Sequence, residues 1–303
     1  MKTKGMFSGF KMLTWVTVLG LLGLSACEDR IDFTRSDSDN VENEAATDSY
    51  FEDTDDMATL AVSAEGGALN GSREASNGRN GVRPNDKRFD CATVTFEFAS
   101  DNSQTTPHGF ITIDFGTGCT DQRGNVRKGK IRVEFKGRRF LPGSQIITTL
   151  DGYSINEVKL EGVRTVTNIS GSTEENPKLN ILLTGGKATW TTSSGEQVAT
   201  REVNRTREWI RATNPANDQW FVTGTAAGTN RNGKVYEMKI TKRMVYKREC
   251  ALGARVFIAV EGTKELVVDG KEIVIDYGSG ACDRLVTITV NGQTREIEVR
   301  GEI

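Results

Sequence analysis

The rhythm of apolar and polar positions changes three times along this chain. Residues 12–24 (MLTWVTVLGLLGL) form an apolar run of thirteen residues interrupted only by two threonines, too short to cross roughly 30 Å of hydrocarbon as a permanent helix. With Lys2, Lys4 and Lys11 ahead of it and Ser25 and Ala26 behind, residues 1–26 read as a signal peptide. Over residues 50–64, Phe51, Met57, Leu60, Ala61 and Ala64 fall near helical spacing, with acidic residues early, which predicts a short amphipathic helix. From residue 87 the period becomes two. Segments 92–98, 110–115, 130–135, 256–260, 272–277, 285–290 and 296–299 alternate, or nearly alternate, apolar with polar residues and are rich in β-branched side chains, the pattern of half-buried antiparallel strands. Asp151-Gly152, Gly185-Gly186, Ser194-Gly195, Asn232-Gly233, Asp269-Gly270 and Asn291-Gly292 supply the chemistry of tight hairpin turns. Beyond residue 66 only 205–211 hints at a helical period. The expected fold is all-β, antiparallel sheets built from successive hairpins as a curved sheet or sandwich over residues 87–303, with a short N-terminal helix after a disordered tether.

Cysteine usage adds a compartment. Leu24-Ser25-Ala26-Cys27 resembles the lipobox of bacterial lipoproteins, which implies lipidation of Cys27 as the mature N-terminus. Several acyl chains, at about 0.8 kcal/mol per buried CH2, make such an anchor effectively permanent. The other four cysteines, Cys91, Cys119, Cys250 and Cys282, are an even set suited to an oxidising compartment. Their spacing favours two local disulfides, Cys91 to Cys119 and Cys250 to Cys282, each stabilising by roughly 3 to 4 kcal/mol. Zinc is the rival use of four cysteines, but there is no C-x-x-C pair and the single histidine, His108, is isolated.

The net charge of -2 conceals an asymmetry. Between Glu28 and Asp56 twelve acidic residues face only Arg30 and Arg35, whereas residues 87–303 hold 31 basic and 26 acidic residues. So polar a stretch cannot offset its own ordering entropy locally, which predicts an acidic tether over 27–86, a solvated leash from Glu28 to about Asp48 followed by the short helix near 50–64. Glu28-Asp29-Arg30 loosely resembles the export signals of some Bacteroidota surface lipoproteins. Asp37, Asp39 and Asn40 open like a calcium loop, but Val41 stands near the required bend and no helix is expected to flank it.

Two segments look like copies of one another. Ile111-Thr112-Ile113-Asp114-Phe115-Gly116-Thr117-Gly118-Cys119 matches Ile273-Val274-Ile275-Asp276-Tyr277-Gly278-Ser279-Gly280-Ala281-Cys282 with one inserted alanine, giving pseudo-repeated cysteine modules near 91–137 and 250–301. The expected role is structural, each aspartate capping the backbone of its own glycine turn; a functional role would have Asp114 and Asp276 grip a cation or polar ligand. These runs, with residues 109–168, resemble a group of uncharacterised secreted Bacteroidota lipoproteins across nearly all of the mature body. The resemblance implies placement in the cell envelope and brings no activity with it.

Candidate chemistry is sparse. There is no G-x-S-x-G, and His108 follows Pro107 in a Thr-rich turn. Trp190, Trp209 and Trp220 suit a core more often than a sugar platform. The basic stretches 123–139 and 239–248 alternate with apolar residues as the solvent face of a strand does, so no nucleic-acid partner is expected. No catalytic, cofactor or metal residue is assigned. The leading expectation is a non-enzymatic envelope lipoprotein, outer-membrane anchored through its N-terminal lipid, facing periplasm or cell surface, and structural or binding an envelope protein or glycan. The alternatives are a carrier of hydrophobic molecules in a curved sheet and a polysaccharide-directed hydrolase with two facing carboxylates.

Overall fold

A computed structural model describes residues 34–66 and 79–299. Helix α1 (Arg35–Ala64) comes first. Fifteen strands follow: β1 (Arg79–Asn80), β2 (Thr93–Phe98), β3 (His108–Asp114), β4 (Cys119–Thr120), β5 (Val126–Lys136), β6 (Gln145–Ile155), β7 (Val158–Asn168), β8 (Lys178–Thr192), β9 (Gly195–Ile210), β10 (Gln219–Thr229), β11 (Val235–Lys247), β12 (Glu261–Val268), β13 (Lys271–Ser279), β14 (Leu285–Val290) and β15 (Gln293–Glu298), with a short helix α2 (Arg248–Gly253) after β11. All pair antiparallel in chain order within one sheet, except that β4 lies off the path and pairs with β5. Successive hairpins therefore build the body, and the sheet does not close, because β1 pairs only with β2 and β15 only with β14.

The period of two places one row of side chains inward. Ile111, Ile113, Ile131, Val133, Ile273, Ile275 and Ile288 are all buried, alternating with more exposed neighbours. They pack on α1. Tyr50, Met57, Ala58, Ala61 and Val62 share a cluster with β2 to β8, and Val41 and Phe51 share a second cluster with β8 to β14. Arg127 of β5 and Lys271 of β13 both reach α1, although eight strand steps at about 4.8 Å would hold them roughly 38 Å apart in a flat sheet. The sheet is curled around the helix.

Close backbone approaches help it bend. Asp151-Gly152 and Gly185-Gly186 are not hairpin turns; they lie inside β6 and β8 at register shifts. Gly129 of β5 explains the first. Its φ is +75°, and a Cβ there would stand 2.2 Å from the Gly152 carbonyl oxygen, so only glycine at 129 lets β6 bulge this close to β5. The β6–β7 turn is Asn156-Glu157, both at positive φ (48° and 66°), a turn without glycine and so without its usual sequence mark. Asp269-Gly270 and Asn291-Gly292 do join β12 to β13 and β14 to β15.

Three expectations are corrected. The helix begins at Arg35, not near residue 50, so most of the supposed leash is ordered and largely buried. Residues 256–260 form no strand; they follow α2 as a connection into β12. Residues 205–210 continue β9 and have no helical turn. The first correction has the largest consequence, and its cause lies in the strands.

Candidate functional site

The inner face of the sheet carries cations where a core would carry apolar residues. On β9 the inward positions are Arg201, Val203, Arg205 and Arg207; Arg127 on β5, Arg164 on β7, Lys264 on β12 and Lys271 on β13 join them, with Arg88 from the segment before β2. The carboxylates of α1 meet this face in a ladder. Asp37 accepts from Lys271 Nζ at 2.7 Å while also capping the helix start through Thr34 N at 2.6 Å. About two turns further in, Glu44 accepts from Arg201 at 2.9 Å and from Lys264. Asp48 takes Arg201 at 2.8 Å and both its oxygens take Arg205 Nη1 at 2.9 Å. Glu52 bridges Arg164, at 2.7 Å, and Arg207. Asp53 joins Arg88, at 2.9 Å, to Arg127, at 2.6 Å. Positions 37, 44, 48, 52 and 55 recur at three- and four-residue spacing summed over turns, so one helical face holds them.

Burial makes this ladder energetically consequential. Arg127 and Arg201 have no exposed surface, and a guanidinium in that position is tolerable only when its donors are met. Tyr153 accepts from Arg127, and Tyr236 accepts from Arg201 at 3.0 Å, supplementing the carboxylates, while Nε of Arg201, Arg164 and Arg205 makes no hydrogen bond. Burial alone would raise the Asp48 carboxyl, but Arg201 and Arg205 outweigh it and hold it far below the ordinary range. For Glu52 burial is again opposed, here by Arg164 and Arg207, leaving its pKa at about 2. Glu44 is held down against burial by Lys264 and Arg201. These groups are charged in the folded protein at neutral pH.

The remaining candidates fall elsewhere. Cys27 and the 1–26 segment lie outside the described residues. Cys91 is bonded to Cys119 and Cys250 to Cys282, with Cα atoms 5.9 and 5.0 Å apart, the two local pairings expected. Asp114 Oδ1 accepts from Gly116 N at 2.8 Å and Asp276 Oδ1 from Gly278 N at 2.7 Å, so both aspartates cap their own turns. Asp37, half of the calcium-like opening, is spent on the helix cap and Lys271. His108 sits between Asp101, at 2.5 Å, and Glu134, at 2.8 Å, with neither a serine nor a cysteine among those partners. Trp209 and Trp220 are register partners across β9 and β10, while Trp190 lies far along β8 with its ring edge-on to Tyr50; the three make no common platform and none is fully buried.

Space on the inner face is small. An enclosed void of about 10 Å³, room for about one water, lies among Asn40, Asn43, Glu44, Thr47, Asn230 and Tyr236. On the outer face, an open groove of about 620 Å³ crosses β8 to β12, with Glu202, Glu237, Glu265 and Lys239 among its lining and no aromatic ring. Among the described residues no group of three His, Cys, Asp or Glu side chains is arranged to hold a metal ion, and no helix is long and apolar enough to cross a membrane. Comparison with protein-family models, with curated proteins and with solved structures finds no match.

Sequence reasoning missed the cationic half of the ladder. Its signal was present in Arg201, Val203, Arg205 and Arg207, which share one strand parity, so a core-facing valine is flanked by arginines on its own face. The matching signal was the helical spacing of acids upstream.

Proposed function

We propose that this protein is a lipid-anchored, non-enzymatic component of the cell envelope, held at the outer membrane through Cys27, whose β body works by surface contact with a partner. The observation that carries the reading is the filled concave face. A carrier stores cargo against the inner face of its curved sheet, and an enzyme needs a water-accessible cleft with aligned reactive groups. Here α1 occupies that face, and its carboxylates neutralise the cations that line it. Two cystines fit export to an oxidising compartment. What is left for function is the exterior, presented by a rigid, twice-stapled sheet.

The test is chemical and cellular. Mass spectrometry of the mature N-terminal peptide should find Cys27 acylated, and Cys27→Ser should move the protein from the membrane to the soluble envelope fraction. An intact initiator methionine on the purified native protein, or unchanged membrane association of Cys27→Ser, overturns the reading.

A further inference from the structure

The hairpins alternate between two kinds of connection. At one end most turns are short, such as 156–157, 269–270 and 291–292, with 81–92 and 115–125 the longer ones; at the other, the connections 99–107, 137–144, 169–177, 211–218, 248–260 and 280–284 are all long. Among the described residues, seven large apolar side chains are more than 40% exposed, and six of them, Phe140, Leu141, Ile169, Leu252, Phe257 and Leu285, lie on or directly beside the long connections; of these seven Val235 alone lies at the short-turn end.

Direct contacts link them into one rim. Phe140 packs on Trp209 with ring centroids 6.0 Å apart, and Trp209 Nε1 donates to Asp218 at 3.0 Å. The Asp218 carbonyl accepts from Arg248 N at the start of α2, which carries Leu252. Gly143 N donates to the Asn168 carbonyl, joining the connections that carry Leu141 and Ile169, and Arg284, next to Leu285, donates at 3.0 Å to the Arg255 carbonyl in the connection that carries Phe257. The Cys250–Cys282 bond ties the 248–260 and 280–284 connections together, so this part of the rim is fixed before any partner arrives.

We infer that this rim is a self-association surface, with a second copy of the chain as its occupant. Charge selects the occupant. The six long connections carry six arginines and six carboxylates, of which only Asp218 is buried, leaving both signs at the surface. An anionic lipid surface rewards a net positive patch, which this is not, whereas a two-fold contact brings one patch against its own copy and needs both signs present. Asp37 and Asn40, at the start of α1, bond to Lys271 and Asn230 at the short-turn end, so α1 begins opposite the rim and leaves it uncovered there.

Sedimentation equilibrium on the mature chain with Cys27→Ser tests this. At roughly 100 μM, where an interface of standard size is populated, the chain should be dimeric. Phe140→Asp and Phe257→Asp should each weaken the dimer by more than about tenfold, and Val235→Asp should leave it unchanged, all three keeping the circular dichroism of the parent. A monomer throughout, a dimer weakened only by Val235→Asp, or a monomer that binds phosphatidylglycerol vesicles and loses them with Phe257→Asp each overturns the inference. Because acylation of Cys27 is read separately by mass spectrometry, failure of the anchor and failure of the rim are distinguishable.

Discussion

Arg201 is the residue on which most of the ladder converges, since it donates to Glu44, Asp48 and Tyr236 from a position with no exposed surface. Removing it leaves two carboxylates in a poorly solvated site without their nearest cation. Arg201→Ala should therefore cost about 3 to 5 kcal/mol in denaturant-induced unfolding at neutral pH. Arg132 and Asp151 form a pair more than half exposed on both sides, and Arg132→Ala should change stability by no more than about 1 kcal/mol. Acid should act through the same buried groups. The Glu52 carboxyl titrates near 4.5 when freed and at about 2 in the folded protein, so the stability it contributes is complete above about pH 4.5 and is lost as pH falls toward 2. Asp48 and Glu44 are lowered likewise and act in the same direction. Thermal unfolding measured between about pH 6 and pH 2.5 should show the midpoint falling with acidification; a midpoint that is flat or rises would remove the ladder from the stability of the fold.

Helix α1 is unlike an ordinary surface helix, which has one apolar stripe and one wet face. Its buried residues include Asp37, Glu44 and Asp55 as well as Phe51, Met57 and Ala61, because the sheet curls around it and contacts several faces. The apolar contacts hold it as firmly as the ionic ones. Phe51 is 1% exposed in the second core cluster, and Phe51→Ala should destabilise by about 3 to 5 kcal/mol, read by chemical denaturation. Without tertiary contacts a helix so rich in like-charged neighbours is marginal in water, so a synthetic peptide of residues 35–64 should give a coil-like circular dichroism spectrum at neutral pH. A strongly helical peptide would show that the sheet merely receives the helix and does not induce it.

At the scale of the molecule, two disulfides brace opposite ends of the sheet. Cys91–Cys119 ties the segment before β2 to β4 at the short-turn end, and Cys250–Cys282 ties the connections at the rim. Each closes a loop of about 30 residues, so Cys91→Ala/Cys119→Ala and Cys250→Ala/Cys282→Ala should each cost roughly 3 to 4 kcal/mol. The two should separate in function. The rim pair should also weaken dimerisation in sedimentation, while the other should leave it intact.

Strand alternation, the glycine turns at Asn232-Gly233, Asp269-Gly270 and Asn291-Gly292 and the cystine pairing were all legible in the chain, because each depends on neighbours in sequence or on chain-entropy arguments over short loops. Alternation over 110–115 and 285–290 shows which face is inward without any knowledge of what covers it. The extent of α1 was not legible. Its ladder acids lack partners within any local window; the partners arrive from 35 to 234 residues away, as the bonds from Asp53 to Arg88 and from Asp37 to Lys271 illustrate. Only the curled sheet turns a solvated acidic run into a buried helix, since apolar burial against the strands orders it and its buried carboxylates are tolerated only where the fold brings cations to them.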